Sequence, residues 1–166
     1  MQLLDPVALG GRTVANRLMF GPHETNLGRG RGISERHVAY YARRAAGGCG
    51  INVTEIASVH PLDWPYERAP LASECGPGWA GTVDACNEHT TLVLAGLGHA
   101  GLQGSSAYSQ RELWSPSPVP EVAGREVPKE MEEEDIAEVV DGYASAARLA
   151  VESGCAGVEI NAGQHS

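Results

Sequence analysis

Residues 34–54, SERHVAYYARRAAGGCGINVT, decide the fold class because they predict a helix joined to a strand by a short glycine turn. Ser34 is a preferred helix N-cap. After it, one apolar face is formed by Val38, Tyr41, Ala42 and Ala45. Gly47-Gly48 ends the helix, and residues 50–54 follow as a strand. A helix that leads so directly into a strand is typical of an α/β fold.

The same alternation of helices and strands extends in both directions from this segment. On the N-terminal side, residues 7–14 with the turn Gly10-Gly11 predict a small hairpin, and residues 17–20 predict the first strand of the sheet. On the C-terminal side, the predicted elements are a loop over 61–77, a helix over 79–88, a strand over 91–95, a proline-rich loop over 100–130, a helix over 132–153 and a strand over 157–161. In the last helix, the inner stripe is predicted to be Ile136, Val139, Val140, Tyr143 and Ala147.

Two architectures fit this alternation, a (β/α)8 barrel and an open, doubly wound sheet. The long loops follow strands and the helix-to-strand turns are short, as in a barrel with its site at the carboxyl ends of the strands. A complete barrel has about 250 residues. We therefore predict that residues 1–166 form the first four βα units of a TIM barrel, with an N-terminal β-hairpin. Two open sheet edges would remain for a second half-barrel chain or a homo-oligomer.

Composition and charge exclude several classes of partner. The net charge of −9 argues against nucleic acid, which needs a basic face. No apolar run reaches the roughly 20 residues of a membrane span, and the N-terminus does not resemble a signal peptide. The cysteines Cys49, Cys75, Cys86 and Cys155 form no CxxC pair, so we expect no zinc or iron–sulfur site. Reduced thiols and the absence of an export signal predict a cytoplasmic protein.

Residues 96–101, GLGHAG, fit the GxGxxG pattern and follow a predicted strand. A dinucleotide fingerprint would have to open a helix whose N-terminus receives the pyrophosphate. Here the motif leads into a loop rich in proline and belongs to the third strand rather than the first. A Rossmann-type nucleotide site is therefore the minor alternative.

Five ordered motifs resemble the Old Yellow Enzyme-type flavoproteins, and most closely the branch with trimethylamine dehydrogenase and 2,4-dienoyl-CoA reductase. They are Asn16-Arg17, Gly21-Pro22-His23, the segment Tyr41-Arg43-Ala45-Gly47-Gly48 with Thr54-Glu55, the segment Leu97-His99-Ala100-Gly101, and Met131 with Val158-Glu159-Ile160. They span nearly the whole chain in the order that the family has them.

This resemblance implies an FMN-dependent enzyme that is reduced by NAD(P)H and passes hydride from the flavin to an activated alkene or a similar small molecule. The flavin contacts that it implies are Pro22, His23, Glu24 and Thr25 after the first strand, together with Ala57 and Gly96. His99, Asn161 and Gln164 would take part at the substrate. The alternatives are an exposed loop position for His23, a plain turn for Thr25, a packed turn for His99 and a strand-end cap for Asn161.

The sequence departs from the family pattern at the residues that would touch flavin and substrate. The family's flavin-binding glutamine corresponds to Gly96, which offers no side chain. Its substrate-binding histidine pair corresponds to Asn161 and Gln164, and a tyrosine that often follows is replaced by Ser166. An amide can donate to a developing oxyanion but cannot supply a proton near neutral pH. A truncated, non-catalytic remnant or interaction module that binds no flavin is therefore the alternative function.

Overall fold

The computed structural model describes residues 2–122 and 124–163. Its strands are β1 (Val7–Leu9), β2 (Arg12–Val14), β3 (Met19–Phe20), β4 (Ile51–Val53), β5 (Ala57–Ser58), β6 (Leu92–Gly98), β7 (Trp114–Ser115), β8 (Lys129–Glu130) and β9 (Gly157–Ile160). Its helices are α1 (Glu35–Ala46), α2 (Gly76–Asn87), α3 (Ser106–Ser109) and α4 (Glu133–Glu152), with short 3-10 turns at Ala72–Glu74 and Gly101–Gln103.

A five-stranded parallel sheet forms the centre of the fold and confirms the predicted α/β class. In it β3 pairs with β4, β4 pairs with β6, and β6 pairs with both β5 and β9. Strands are thus added in chain order, while α1 packs on α2 and α2 packs on α4. A doubly wound sheet instead reverses its strand order and carries helices on both faces. The observed winding is that of a barrel.

A one-residue bulge separates β4 from β5, which are two parts of one strand. Val53 lies opposite Leu94 of β6, but Ala57 lies opposite Leu97, so four steps on one strand face three steps on the other. The extra residue lies within Thr54–Ile56, and the amide of Gly96 bonds there to the Thr54 hydroxyl at 3.1 Å. Bulges re-aim side chains beside active sites. The strand resumes after the bulge, at Ala57.

Successive strand residues point to opposite faces of the sheet. Because apolar residues occupy positions of both kinds, both faces are apolar. On the helix side, Val93, Ala95 and Leu97 of β6 pack against the three long helices. On the other side, Ile51 and Val53 form a smaller cluster with Val14 of the β1–β2 hairpin. The hairpin itself, with both turn glycines at positive φ, confirms the prediction for residues 7–14. It covers the amino-terminal part of the face that a closed barrel would enclose.

Three element predictions need correction. The helix α2 begins at Gly76 rather than Trp79, because Pro77 is accepted in a first helical turn. The strand β6 continues to Gly98, so two glycines of the GxGxxG pattern lie in a strand and no nucleotide-binding helix follows them. In α4, Ile136 and Val140 are exposed, because its inner face is carried by Ala146 and Ala150.

The predicted loop over residues 100–130 contains two short parallel strands, β7 and β8, besides α3. Among the described residues, no helix combines the length and the apolarity that crossing a membrane requires.

Candidate active site

A cleft of about 720 Å³ opens at the carboxyl ends of the parallel strands. One wall comes from the residues that directly follow or interrupt the strands: Pro22, His23, Glu24, Ile56, Ala100 and Asn161. The other wall comes from the loops after β5 and β6 and includes Tyr66 and Gln103. Its volume lies in the range of small-molecule and cofactor sites. Its position is where an α/β barrel carries its chemistry.

The acidic side chains along the described wall of the cleft are not matched by lysine or arginine. Glu24, Asp63, Glu121 and Glu126 line it, and none of the described lining residues is a lysine or an arginine. Neutral or cationic molecules are therefore favoured there over anions by simple Coulomb attraction. A phosphate group finds no basic partner in this wall.

Behind the cleft, Glu55 of the bulge is fully buried and collects hydrogen bonds from separate segments. Its Oε1 accepts from the hydroxyl of Tyr66 at 2.5 Å, and its Oε2 accepts from His37 Nε2 at 2.6 Å and from the Thr25 hydroxyl. Its own amide donates to the Tyr41 hydroxyl at 2.5 Å. One carboxylate thereby ties the loop after β3, helix α1 and the loop after β5 together.

The hydrogen bonds of His37 fix its tautomer. The backbone amide of Ser34, which can only donate, lies 3.0 Å from Nδ1 of His37. Nδ1 is therefore the acceptor, and Nε2 carries the proton that is donated to Glu55. Ser34 is the N-cap of α1, as predicted, so the start of the helix orients the imidazole toward the bulge.

These contacts set the ionisation of the buried groups. Burial alone would raise the pKa of Glu55, but the hydrogen bonds from His37, Thr25 and Tyr66 together outweigh it and lower the pKa below its ordinary value. Burial, together with the neighbouring Glu55 carboxylate, raises the pKa of Tyr66. Glu55 thus stays ionised and Tyr66 stays a hydrogen-bond donor at neutral pH.

The loop after β3 is held from the outside by Tyr40 of α1. Its hydroxyl lies 2.6 Å from Nδ1 of His23, and the guanidinium of Arg44 sits over the Tyr40 ring at 3.3 Å from its centroid. His23 is exposed on this loop, yet its ring is tethered beside the cleft.

The structure brings four of the predicted site residues to the cleft: Pro22, His23, Glu24 and Asn161. The Oδ1 of Asn161 also accepts a hydrogen bond from the Gly163 amide at 3.3 Å, so this side chain also caps the end of β9. Three others lie apart from the cleft, because Thr25 turns to Glu55, Ala57 is buried in β5 and His99 lines a separate small cavity. Gln164 lies outside the described residues.

Gly96 lies within β6 rather than on the cleft wall. A Cβ atom at this position would stand 2.4 Å from the Thr54 carbonyl oxygen and 3.0 Å from Cδ1 of Ile56. The backbone of the bulge therefore occupies the space that the first atoms of a glutamine side chain would need. The path of the backbone at Thr54 is therefore compatible with glycine at position 96 and not with the glutamine that the resemblance implies there.

Sequence reasoning missed the residues that organise the cleft from behind, namely His37, Tyr66 and Asp63. Glu55 entered the prediction only as part of a family motif, and Tyr41 only through that motif and the apolar face of the helix. The one available signal was a charged residue directly after a predicted strand, as with Glu55 after residues 50–54. A buried carboxylate needs partners, but the sequence does not say which ones.

Comparison with known proteins settles the family. Residues 2–165 match the sequence profile of the NADH:flavin oxidoreductase / NADH oxidase family. The chain belongs to this family. This is a family of flavin-dependent oxidoreductases, and membership in it confirms the resemblance that the sequence motifs indicate.

Relatives in the family are longer than this chain. The chain is 30% identical to the N,N-dimethylglycine/sarcosine dehydrogenase of Chromohalobacter salexigens, over 96% of its own length and 24% of the relative's. It is 26% identical to the NADPH dehydrogenase of Bacillus subtilis, over 97% of its own length and 48% of the relative's. The chain thus spans between a quarter and a half of the length of these relatives.

Solved structures of the family share the fold. A 2-naphthoyl-CoA reductase complex superposes with a TM-score of 0.89 at 23% identity, over 95% of this chain and 26% of the other. The Old Yellow Enzyme homologue of Zymomonas mobilis superposes with a TM-score of 0.86 at 24% identity, over 96% of this chain and 48% of the other. At these levels of sequence identity, the structural similarity supports the fold alone.

Proposed function

We propose that residues 1–166 form the N-terminal half of a flavin-binding TIM barrel, and that the assembled barrel is an FMN-dependent NAD(P)H oxidoreductase that reduces an activated alkene or a similar small acceptor. The observation that carries this proposal is the cleft at the strand ends, with His23, Glu24, Ile56 and Asn161 converging on it. The barrel would be closed by further chain, by a second half-barrel chain or by a second copy.

The cleft fits the ring system of a flavin better than its phosphate. Ile56 and Pro22 offer apolar surface, while His23 and Asn161 offer polar groups to a heterocycle. The wall is acidic and carries no lysine or arginine among its described residues, so a dianionic phosphate is disfavoured here. In this fold, phosphate commonly binds at the loops after strands 7 and 8, which four βα units do not include.

The bound flavin would supply the hydride chemistry, and this chain's residues would position the reactants. Tyr66 and Thr25 are held by Glu55, so the loops on the two sides of the cleft keep a fixed separation. The amide of Asn161, which lines the cleft, would donate a hydrogen bond to a substrate oxygen as charge develops on it. Gln164, at the other predicted position, would assist as a second amide.

A second candidate function is a non-catalytic remnant or interaction module that binds no flavin. The geometry at Gly96 favours it, because the side chain that would hold the flavin's pyrimidine ring is missing and its space is filled. We also expect the chain in a reducing compartment such as the cytoplasm, since its four cysteines are all free thiols.

Titration of the purified chain with FMN and with riboflavin, combined with measurement of its oligomeric state, separates the two functions. The proposal expects saturable quenching of flavin fluorescence, with riboflavin bound at least as well as FMN because it lacks the phosphate. Ala100→Trp should weaken binding by filling the cleft, while Ala144→Trp, on the exposed side of α4, should not.

Binding that Ala100→Trp leaves unchanged would place the flavin elsewhere and contradict the proposed site. A folded chain that binds neither flavin, alone or as a dimer, would favour the non-catalytic module.

A further inference from the structure

We propose that Asp63 is the proton donor of the cleft and that it regains its proton from the protein surface through His60 and Glu138. This inference rests on the proposed function, since a substrate that receives hydride must also receive a proton. It names a residue for that second half of the reaction, which the amides of Asn161 and Gln164 cannot perform near neutral pH.

Asp63 forms the partition between two cavities. It lines the large cleft, and it also lines a second cavity of about 10 Å³ together with His60, His99 and Trp114. The residue is 6% exposed, so its carboxyl group has little contact with bulk water. A group in this place can face a bound substrate on one side and a protein-internal proton source on the other.

Hydrogen bonds hold the Asp63 carboxyl in this position. Its Oδ1 accepts the Ala100 amide at 3.0 Å, and the Ser58 hydroxyl also bonds to the carboxyl. The backbone oxygen of Asp63 accepts Nη2 of Arg31 at 2.7 Å, which fixes the loop after β5 from the other side. The carboxyl is thus placed by β5, by the residue after β6 and by its own loop.

The second cavity connects Asp63 to the surface. Its volume is about what one water molecule needs. His60, which is 6% exposed, lines it and has no partner for Nδ1 in the described part of the chain. Nε2 of His60 lies 3.3 Å from a carboxylate oxygen of Glu138, whose side chain is largely exposed on α4. A water held between His60, His99 and Asp63 completes a chain of proton-carrying groups.

Burial, rather than the neighbouring charges, favours the neutral form of Asp63. Burial raises the pKa of Asp63 above its ordinary value, against the opposing influence of His99, Ser58, the Ala100 amide and Arg31. Burial likewise lowers the pKa of His99, with Asp63 and His60 as its charged neighbours. Tyr143 of α4 and Glu112, on the rim of the small cavity, also face this cluster, and Asp135 interacts with His60 through its charge. Burial thus shifts both groups toward their neutral forms, and a carboxyl group shifted in this direction is suited to donate a proton.

The proposed step balances without another reactant. The O–H bond of the Asp63 carboxyl breaks, its electron pair remains on the carboxylate, and the proton bonds to the substrate atom that holds the electron pair supplied by hydride transfer. The carboxylate then takes a proton from the water of the small cavity, that water regains one from Nδ1 of His60, and Nε2 of His60 takes one from Glu138. Glu138 exchanges protons with solvent.

Infrared spectroscopy of the purified chain tests the protonation state directly, without flavin or turnover. The carbonyl band of a protonated, buried carboxylic acid should be present at pH 6, should disappear at higher pH, and should be absent from Asp63→Asn. Asp84→Asn, at an exposed position of α2, should keep the band. Ser58→Ala removes a hydrogen bond to the carboxylate and should therefore raise the pH at which the band disappears. This variant provides the test if Asp63→Asn does not fold.

In the assembled, flavin-loaded protein, Asp63→Asn should lower the rate of substrate reduction by about 10²–10⁴-fold. It should leave the rate of flavin reduction by NAD(P)H unchanged. The absence of the band at pH 6, or an unaltered substrate rate in Asp63→Asn, would overturn the assignment of Asp63. A chain that binds no flavin but shows the band would instead refute the proposed function alone.

Discussion

Nε2 of His37 donates to Oε2 of Glu55 across 2.6 Å, and neither side chain has any exposed surface. This pair joins the first turn of α1 to the bulge between β4 and β5, and the same carboxylate reaches Thr25 and Tyr66 on two loops of the cleft. The geometry of the cleft therefore depends on a single ionised group that never meets solvent. A buried charge of this kind is costly unless every partner is in place.

Removal of that charge should destabilise the fold strongly. We expect Glu55→Gln to lower the free energy of unfolding by about 3 kcal/mol, because His37, Thr25 and Tyr66 lose a charged acceptor in a site closed to water. Urea denaturation followed by circular dichroism measures the change. Glu67→Gln is the matched control, since its side chain is 63% exposed and its change should stay within about 0.5 kcal/mol. Equal effects of the two substitutions would contradict the role given to Glu55.

Acid should weaken the fold through the same carboxylate. The folded-state pKa of Glu55 lies below its ordinary value of 4.5. Its stabilisation is therefore fully present above the unfolded pKa and is lost as the pH falls through the folded pKa. The free energy of unfolding, measured from pH 7 down to pH 3, should fall more steeply below about pH 4.5 in the wild type than in Glu55→Gln. Parallel curves for the two proteins would show that Glu55 does not titrate in this way.

Restoring the family's glutamine at position 96 should damage the chain rather than improve it. Both Gly96→Gln and Gly96→Ala place a Cβ 2.4 Å from the Thr54 carbonyl, so we expect a loss of about 2 kcal/mol or more in the free energy of unfolding. Gly157→Ala, in β9, meets only Cδ2 of Leu94 at 3.5 Å and should cost less. Thermal unfolding compares the three variants. A stable Gly96→Gln with stronger flavin binding would refute the close packing of the bulge against β6.

The cysteines should differ sharply in reactivity toward a thiol reagent at pH 8. Burial raises the pKa of Cys75 and of Cys155 to about 12 and also raises the pKa of Cys86, whereas Cys49 is only half-buried. Because the thiolate is the reactive form, one thiol should react quickly in the folded chain and all four after denaturation. The absorbance of the chromophore that the thiol reagent releases gives the number of thiols that have reacted. Cys49→Ser should abolish the fast phase, and its persistence in that variant would assign it to a buried thiol.

Local features of this protein were predictable because they depend on residues close together in the chain. The start of α1 at Ser34 and the turn at Gly10-Gly11 follow from capping and backbone preferences. The buried face of α1 was predicted only in part: Tyr41 and Ala45 are buried, but so is His37, which the apolar pattern passes over. A buried histidine is indistinguishable from an exposed one until its partner is known.

The sequence by itself determined the alternation of strands and helices, the parallel sheet and the family, because periodicity and ordered motifs are properties of the chain read in one dimension. Only the tertiary structure decided which polar groups meet. Glu55 accepts a hydrogen bond from Thr25, which lies thirty residues away in the sequence. Asp63 lies between the cleft and the small cavity beside His60 and His99. These meetings depend on strand order and on one extra residue between Val53 and Ala57, and the energy of a buried charge is set by all of its neighbours at once.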